Sequence, residues 1–259
     1  MRLNSNEKVN LTEDNSEKRI ESNMDIAVLF SGGKDSCYTI MKSIDANLNV
    51  KVLLTLHPKS ERSWLFHHPC IRWTKLQAEA MNMQIATYNI ESEGEDEKHE
   101  FSKHLQDIKN KFSIEGIAAG ALASQYQRRR IEDIANRLGL RMYTPLWGMD
   151  PSKLLLDQLE SGLEIIIVST AALGLDSSWL GRRLDKNLVQ ELDHLKEKHG
   201  VNPAGEGGEY ETFVLDGPLF QKKITVNRFH KRWQGDRGQL EIDDAELKEK
   251  KRKNNPILL

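Results

Sequence analysis

The chain has 259 residues, of which 38% are hydrophobic and 29% charged, a balance typical of a soluble globular protein with a substantial core. Its 37 lysines and arginines stand against 39 aspartates and glutamates, so the formal charge of −2 argues against bulk electrostatic coating of nucleic acid, and we expect no stable nucleic-acid partner. Only two cysteines occur and no run approaches the roughly 18 apolar residues of a membrane span, which predicts a cytoplasmic protein without membrane attachment.

The N-terminal half of the chain alternates between predicted strands and helices. Residues 1–23 are polar and mixed in charge, and we expect a disordered leader there. Short apolar runs then predict strands at 25–30, 50–56, 84–90, 116–121 and 141–144, with helices between them at about 35–44, 70–82, 97–112 and 124–138. This alternation is typical of a parallel sheet with crossover helices, so residues 24–146 are predicted to form a doubly wound, Rossmann-like α/β domain.

The pattern changes after Trp147. A helix is predicted at about 151–161, a very apolar strand at 164–170, a helix at about 185–199 and strand-like runs at 213–215 and 222–229. We interpret residues 147–243 as a second, smaller α+β domain and residues 244–259 as a charged tail. Among the loops, the acidic run at 91–98 is predicted to be a solvated connection.

The strongest chemical signal is the loop Ser31–Ser36, which reads Ser-Gly-Gly-Lys-Asp-Ser between the first strand and the first helix. Its two glycines let the backbone approach a ligand closely, and the N–H groups that open a helix attract anions. Lys34 adds a positive charge, and the hydroxyls of the two serines can donate to phosphate oxygens. Asp35 fits an anion site only with a cation present, and Mg²⁺ bridging ATP phosphates would supply one.

The loop differs from the Walker A pattern and from G-x-G-x-x-G. It resembles the pyrophosphate loop (PP-loop), S-G-G-x-D-S, of the N-type ATP pyrophosphatases, which split ATP between the α and β phosphates. The resemblance implies a PP-loop ATPase type of fold and the use of ATP and Mg²⁺. We predict catalytic roles for Lys34 and Asp35, with Asp35 as the metal ligand. The predicted nucleotide-binding residues are Ser31, Gly32, Gly33, Lys34, Asp35, Ser36 and His67.

A second signature narrows the family. The segment Gly205–Thr212, which reads Gly-Glu-Gly-Gly-Glu-Tyr-Glu-Thr, resembles the diphthine–ammonia ligases (diphthamide synthetases), and the short archaeal-type members in particular. Further segments resemble the same family: 120–124, Tyr126-Gln-Arg128, Arg130-Ile-Glu132, 145–147, 174–176 and 179–181. Their order and spacing fit over about residues 24–243. His67 lies in the similarly family-like run 63–67.

The resemblance implies a reaction. The substrate would be diphthine, a trimethylated, carboxylate-bearing derivative of a histidine on translation elongation factor 2. Its carboxylate would attack the α-phosphate of ATP, releasing pyrophosphate, and ammonia would then displace AMP from the acyl-adenylate to give diphthamide. Because no glutaminase segment is evident, free ammonia or ammonium is the expected nitrogen source.

Three carboxylates, Glu206, Glu209 and Glu211, lie so close in sequence that they repel one another unless a cation binds. A trimethylammonium group, ammonium or Mg²⁺ would serve. Tyr210, Trp147 and Trp179 offer aromatic faces for a quaternary ammonium, although for each tryptophan taken singly core packing is the better explanation. The predicted substrate-binding residues are Glu206, Gly207, Gly208, Glu209, Tyr210, Glu211, Tyr126, Arg128 and Arg130.

Two other functions are compatible with parts of the sequence. An RNA-modifying enzyme of the same superfamily would need a basic surface or a Cys-x-x-Cys site, and neither is evident. A non-catalytic nucleotide sensor would tolerate loss of Lys34, Asp35 and both loop serines, yet all are present. The sequence leaves open whether the chain forms homo-oligomers.

Overall fold

The computed structural model describes residues 23–59, 69–120 and 125–250, except for the side chain of Tyr126. The elements in chain order are β1 (Asp25–Leu29), α1 (Lys34–Asp45), β2 (Asn49–Pro58), a 3₁₀ helix (Ile71–Trp73), α2 (Thr74–Ala80), β3 (Ile85–Ile90), α3 (Gly94–Phe112), β4 (Gly116–Ala118), α4 (Gln125–Arg137), β5 (Arg141–Tyr143), α5 (Pro151–Glu160), β6 (Glu164–Thr170), α6 (Lys186–His199), β7 (Tyr210–Asp216), β8 (Lys222–Gln234) and β9 (Arg237–Glu249).

Strands β1 to β5 form one parallel sheet in the order β3-β2-β1-β4-β5. Successive side chains of a strand point to opposite faces. Ile26 and Val28 of β1 therefore pack with helices α1 and α2, whereas Ala27 and Leu29 pack with α3 and α4. Helices on both faces explain why β1 is apolar throughout, and they confirm the predicted doubly wound α/β fold.

Strands β6 to β9 form a separate antiparallel sheet in the order β7-β6-β9-β8. Its apolar face belongs to the same core cluster as the α1 and α2 side of the first sheet, with Ile167, Val168 and Phe213 fully buried there. The second, smaller α+β unit predicted from the sequence is thus confirmed. Because the two sheets share a core cluster, the second unit is held against the helices that follow β1 and β2. The boundary at 146/147 remains a prediction.

The end of the second unit was predicted incorrectly. β8 is longer than expected, and β9, which was not predicted, continues through Glu249 into the region interpreted as a charged tail. A two-residue turn joins the strands, with Gln234 paired to Arg237 and Gly235 at a φ of 63°. The Gly-Asp dipeptide at 235–236 is a hairpin signal that the sequence analysis overlooked.

The acidic run at 91–98 is also not simply a loop. Helix α3 begins at Gly94, and three acidic residues (Glu95, Asp96 and Glu97) occupy its first turn. Negative charge stabilises a helix N-terminus through the partial positive charge of the unpaired N–H groups. Across residues 23–59, 69–120 and 125–250, no helix combines the length and apolar character that crossing a membrane requires.

Candidate active site

The PP-loop lies at the point where the order of the first sheet reverses. β1 pairs with β2 on one side and with β4 on the other, and in such sheets ligands bind beyond the carboxyl ends of the strands at this point. The second residue after β4 lies close to the PP-loop, because a Cβ on Gly120 would be 3.1 Å from the backbone carbon of Asp35. Only glycine allows the loop after β4 to pack so closely against the PP-loop.

The edge of the second sheet supports the PP-loop directly. Val214 of β7 donates its backbone N–H to the carbonyl of Gly32 at 3.1 Å. Two residues earlier, the Thr212 hydroxyl accepts the backbone N–H of Lys34 at 3.1 Å. β7 is an edge strand, so its free hydrogen-bonding groups are available for this purpose. The Gly205–Thr212 signature thus meets the PP-loop, and its last three residues belong to β7 rather than to a flexible segment.

A buried glutamine completes this connection. The amide nitrogen of Gln77, on α2, donates to the carbonyls of Gly32 and Val214, each at 2.8 Å. Gln77 is fully buried, and its amide oxygen has no hydrogen-bond partner among the described residues. Gly32 has a φ of +82°, and a Cβ there would lie 2.3 Å from that oxygen. The loop conformation therefore requires glycine both for its backbone angle and for space.

Lys34 lies in the interior of the protein although it belongs to the PP-loop. It is 2% exposed, and its ammonium donates to the Asp35 carboxylate at 2.7 Å and to the Ala204 carbonyl at 2.6 Å. The same ammonium lies 5.8 Å from the centre of the Tyr210 ring. An ammonium has three N–H donors, so these contacts leave one for a phosphate oxygen. Because it is buried and hydrogen-bonded, Lys34 contributes to folding in addition to its predicted catalytic role.

Asp35 is held from both sides. One carboxylate oxygen accepts from Lys34, and the other accepts from the side-chain amide of Gln158, on α5, at 2.7 Å. The side chain of Asp35 is nevertheless 27% exposed. The carboxylate is therefore fixed in orientation while it remains accessible to a metal ion.

Glu206 is the second carboxylate of the site. Partial burial raises its pKa, and the negative charges of Asp35 and Glu209 raise it further, whereas Lys34 opposes the shift. Two carboxylates that interact unfavourably, beside the N–H groups that open α1, form a donor set that suits a hard divalent cation such as Mg²⁺. The residues present thus fit the metal that the PP-loop resemblance implies. Within the described residues there is no group of three His, Cys, Asp or Glu side chains arranged as a metal site.

The raised pKa of Glu206 makes the stability of the protein depend on pH. The folded state favours the neutral carboxyl, so stability falls as pH rises from the ordinary pKa of 4.5 towards the raised value. We expect Glu206→Gln to raise the melting temperature at pH 7.5 and to leave it nearly unchanged at pH 4, where Glu206 is mostly neutral in both states. Thermal unfolding of the metal-free protein at the two pH values tests this. An equal change in melting temperature at the two pH values would contradict the raised pKa of Glu206.

The other predicted residues of the Glu-rich segment have structural contacts. The Glu209 carboxylate accepts from the backbone N–H groups of Asn202 at 3.0 Å and Gly207 at 2.8 Å, and so closes the turn. Tyr210 is 2% exposed and donates its hydroxyl to the Pro203 carbonyl at 2.6 Å. Burial, together with the surrounding carboxylates, raises its pKa. Its ring therefore contacts Lys34 and is not an open face for a substrate cation.

Of the remaining predicted residues, Glu211 lies in β7 and Gly208 in the turn before it, and the others lie at the start of α4 or outside the described region. The Arg128 guanidinium stacks over the Trp147 ring, 4.7 Å from its centre. Arg130 forms an ion pair with Glu95 at the start of α3, so part of its charge is already balanced. The backbone of Tyr126 is in α4, but its side chain is not described, and His67 lies outside the described residues.

Sequence reasoning missed three polar residues that position the loop: Gln77, Gln158 and Thr212. Thr212 is the last residue of the Gly205–Thr212 motif, but the sequence indicated no role for its side chain. A signal for both glutamines was present, because each falls on the apolar face of its helix. Gln158 follows Leu154 by four residues, and Gln77 lies between the buried Thr74 and Met81. A glutamine at such a position is buried and needs a partner.

Both halves of this composite site match known families of domains. The diphthamide synthase N-terminal domain matches residues 24–142, and the diphthamide synthase C-terminal domain matches residues 150–247. The chain belongs to the diphthamide synthase family. The N-terminal match contains the PP-loop and the C-terminal match contains Gly205–Thr212 and β7. The hydrogen bonds between Lys34 and Thr212 and between Gly32 and Val214 therefore join the two conserved domain types of the family.

Curated relatives agree with this assignment. The chain is 37% identical over 223 residues to the human protein named diphthine–ammonia ligase, covering 79% of this chain and 83% of the relative. It is 33% identical over 222 residues to a fission-yeast protein of that name, covering 78% of this chain and 36% of the much longer relative. Among solved structures, the U34-tRNA thiolase NcsA of Methanococcus maripaludis is 14% identical, with a TM-score of 0.37 over 73% of this chain and 71% of that one.

Proposed function

We propose that this chain is a diphthine–ammonia ligase, which uses ATP and ammonia to convert diphthine on translation elongation factor 2 into diphthamide, with AMP and pyrophosphate as products. One observation carries the proposal: Lys34 of the PP-loop is bonded through its backbone N–H to Thr212 and through its ammonium to Ala204. The family's nucleotide signature and its second signature therefore form a single site. The names of the curated relatives supply the substrate.

In the proposed reaction, residues 24–146 bind ATP and residues 147–243, extended to the end of β9, bind the modified protein. The PP-loop receives the β and γ phosphates. The N–H groups that follow Lys34 at the start of α1 and the third N–H of the Lys34 ammonium stabilise the negative charge that develops on the leaving pyrophosphate. Ser31 and Ser36 lie within hydrogen-bonding reach of each other at 3.4 Å, so both hydroxyls face the same part of the loop.

The chemistry proceeds in two balanced steps. A carboxylate oxygen of diphthine attacks the α-phosphorus of ATP, and the bond from that phosphorus to the bridging oxygen breaks, releasing pyrophosphate. Ammonia then attacks the acyl carbon of the adenylate, AMP leaves with the former carboxylate oxygen, and the nitrogen loses a proton. The site contributes mainly by orienting the reactants and by stabilising charge in fixed positions.

Asp35 and Glu206 are the residues that would hold Mg²⁺, because their charges influence each other, whereas the Glu209 carboxylate already accepts two backbone N–H groups. When bound, Mg²⁺ neutralises phosphate charge. Gln158 keeps the Asp35 carboxylate in one orientation, and Glu209 keeps the turn that carries Glu206 in shape. The proposal includes a cytosolic setting and free ammonium as the nitrogen donor.

The direct test mixes the enzyme with ATP, Mg²⁺ and diphthine-bearing elongation factor 2, with and without ammonium. We expect the acid-to-amide mass change only when ATP and ammonium are both present, with AMP and pyrophosphate formed in equal amounts. Glutamine in place of ammonium should not support the reaction. Formation of ADP and orthophosphate would contradict the PP-loop mechanism, and the absence of amide with all components present would contradict the substrate assignment.

A further inference from the structure

Three aromatic side chains were candidates for binding a quaternary ammonium group, and the structure separates them. Tyr210 is 2% exposed and Trp179 is 5% exposed, so both rings belong to the interior. Trp147 is 36% exposed. Of these three rings, only Trp147 presents a face that a substrate group can reach.

Trp147 also lies at the edge of the sheet where ATP is proposed to bind. It follows the end of β5, whose residue Tyr143 accepts the backbone N–H of Ala119 at 3.0 Å. The next residue, Gly120, packs against the backbone of Asp35. The neighbouring Leu146 is buried, and a turn from Thr144 to Trp147 fixes the backbone at this point. The indole is thus carried on an anchored turn at the edge of the first sheet that also carries the PP-loop.

The ring already interacts with a cation. The guanidinium carbon of Arg128 lies 4.7 Å from the ring centre, which is the geometry of a cation–π contact. Arg128 is in the first turn of α4, where positive charge is unfavourable for the helix dipole. Among the described residues it has no ion pair with a carboxylate. The Trp147 ring therefore attracts cations. Because no carboxylate of the described residues holds Arg128 in place, a cationic group of a ligand can displace its guanidinium from the ring.

We propose that Trp147 binds the trimethylammonium group of the substrate and that Arg128 covers this face until the substrate arrives. This inference rests on the proposed function, because it takes the cationic substrate from there. A trimethylammonium has no N–H, so hydrogen-bond acceptors cannot recognise it specifically, whereas the face of an indole can. Unlike a trimethylammonium group, the Arg128 guanidinium has N–H donors, which can form hydrogen bonds with water or with an anion when the side chain leaves the ring.

The test compares steady-state constants of Trp147→Leu and of the wild-type enzyme. We expect the KM for diphthine-bearing elongation factor 2 to rise about tenfold in Trp147→Leu, and about threefold in Trp147→Phe, whose smaller ring binds cations more weakly. The KM for ATP and the kcat should stay within about twofold of wild type. A general disturbance of the fold would change all three constants together. Trp233→Leu is the matched control, since Trp233 is 42% exposed on β8, away from the PP-loop edge.

Tetramethylammonium chloride provides a second measurement that does not depend on the folding of a variant. We expect it to inhibit the wild-type enzyme competitively with the protein substrate, whereas sodium chloride at equal ionic strength does not. Arg128→Gln, which uncovers the ring, should bind the inhibitor at least as tightly as wild type. If wild type amidates diphthine but tetramethylammonium does not compete and Trp147→Leu has a normal KM, this inference is wrong and the proposed function stands. If wild type forms no amide, the proposed function itself fails.

Discussion

Replacing Lys34 with methionine is expected to lower the rate of AMP and pyrophosphate formation about a hundredfold. The variant loses the contact between the Lys34 ammonium and the leaving pyrophosphate. A charged donor placed where negative charge develops stabilises the transition state by roughly 3 kcal/mol. Methionine retains most of the length and the apolar stem of lysine, so the variant removes the charge and its hydrogen bonds with little change in volume. Product formation is followed by chromatography at saturating ATP.

Stability should fall in the same variant, because Lys34 is buried. Without the ammonium, the Ala204 carbonyl and one oxygen of Asp35 each lose a hydrogen bond of 2.6–2.7 Å. An unpaired buried polar group costs about 1–3 kcal/mol. Rates must therefore be compared at a temperature where unfolding curves show both proteins to be folded.

Lys51→Met is the matched control for Lys34→Met. Lys51 belongs to β2 of the same sheet, but it is exposed and paired with Asp25 at 3.3 Å on the surface. A surface ion pair contributes at most about 1 kcal/mol, so both rate and stability should be close to wild type. If Lys34→Met lost stability yet retained its rate within about threefold when folded, Lys34 would be a structural residue and the catalytic assignment would be wrong.

Gly32→Ala is expected to abolish detectable turnover and to destabilise the protein strongly. The new Cβ would lie 2.3 Å from the Gln77 amide oxygen and 3.3 Å from a methyl group of Thr74. Alanine is also strained at the φ of +82° by roughly 1–3 kcal/mol. Because Gln77 is buried and bonds both the PP-loop and β7, it cannot move away without releasing the loop. Unfolding curves and ATP-binding calorimetry measure the two effects.

Two further variants separate the clash from the backbone strain. Gly200→Ala places a Cβ at a similar φ of +73° with no atom within 4 Å, so it should show the strain alone. The double variant Gly32→Ala with Gln77→Ala removes the atoms responsible for the closest clash. We expect it to recover part of the stability of Gly32→Ala but little ATP affinity, because the carbonyls of Gly32 and Val214 lose their shared donor. Equal stability losses in Gly32→Ala and Gly200→Ala would contradict the crowding that the structure shows.

How much of the fold was predictable depended on the length and regularity of each pattern. The five strands of the first sheet and helices α1 to α6 were all predicted near their observed positions, because buried parallel strands are continuously apolar and the helices between them are periodic. The β8–β9 hairpin was predicted only in part. Its exposed strands carry many charges that pair across the hairpin, such as Arg232 with Glu241, so their composition resembles that of a solvated tail.

The class of fold, the PP-loop and the family could be recognised from the sequence, because these follow from local composition and from residues that are adjacent in the chain. Which side chains share an environment became evident only from the folded chain. Lys34 and Ala204 are 170 positions apart, and Asp35 and Gln158 are 123 apart, so no local pattern records their contacts. The same holds for the aromatic rings that were candidates for binding a quaternary ammonium group. In the folded protein Tyr210 is buried in the core and Trp147 is accessible. Whether a polar or aromatic side chain binds a ligand or supports the fold depends on its exposure and partners, and folding alone sets both.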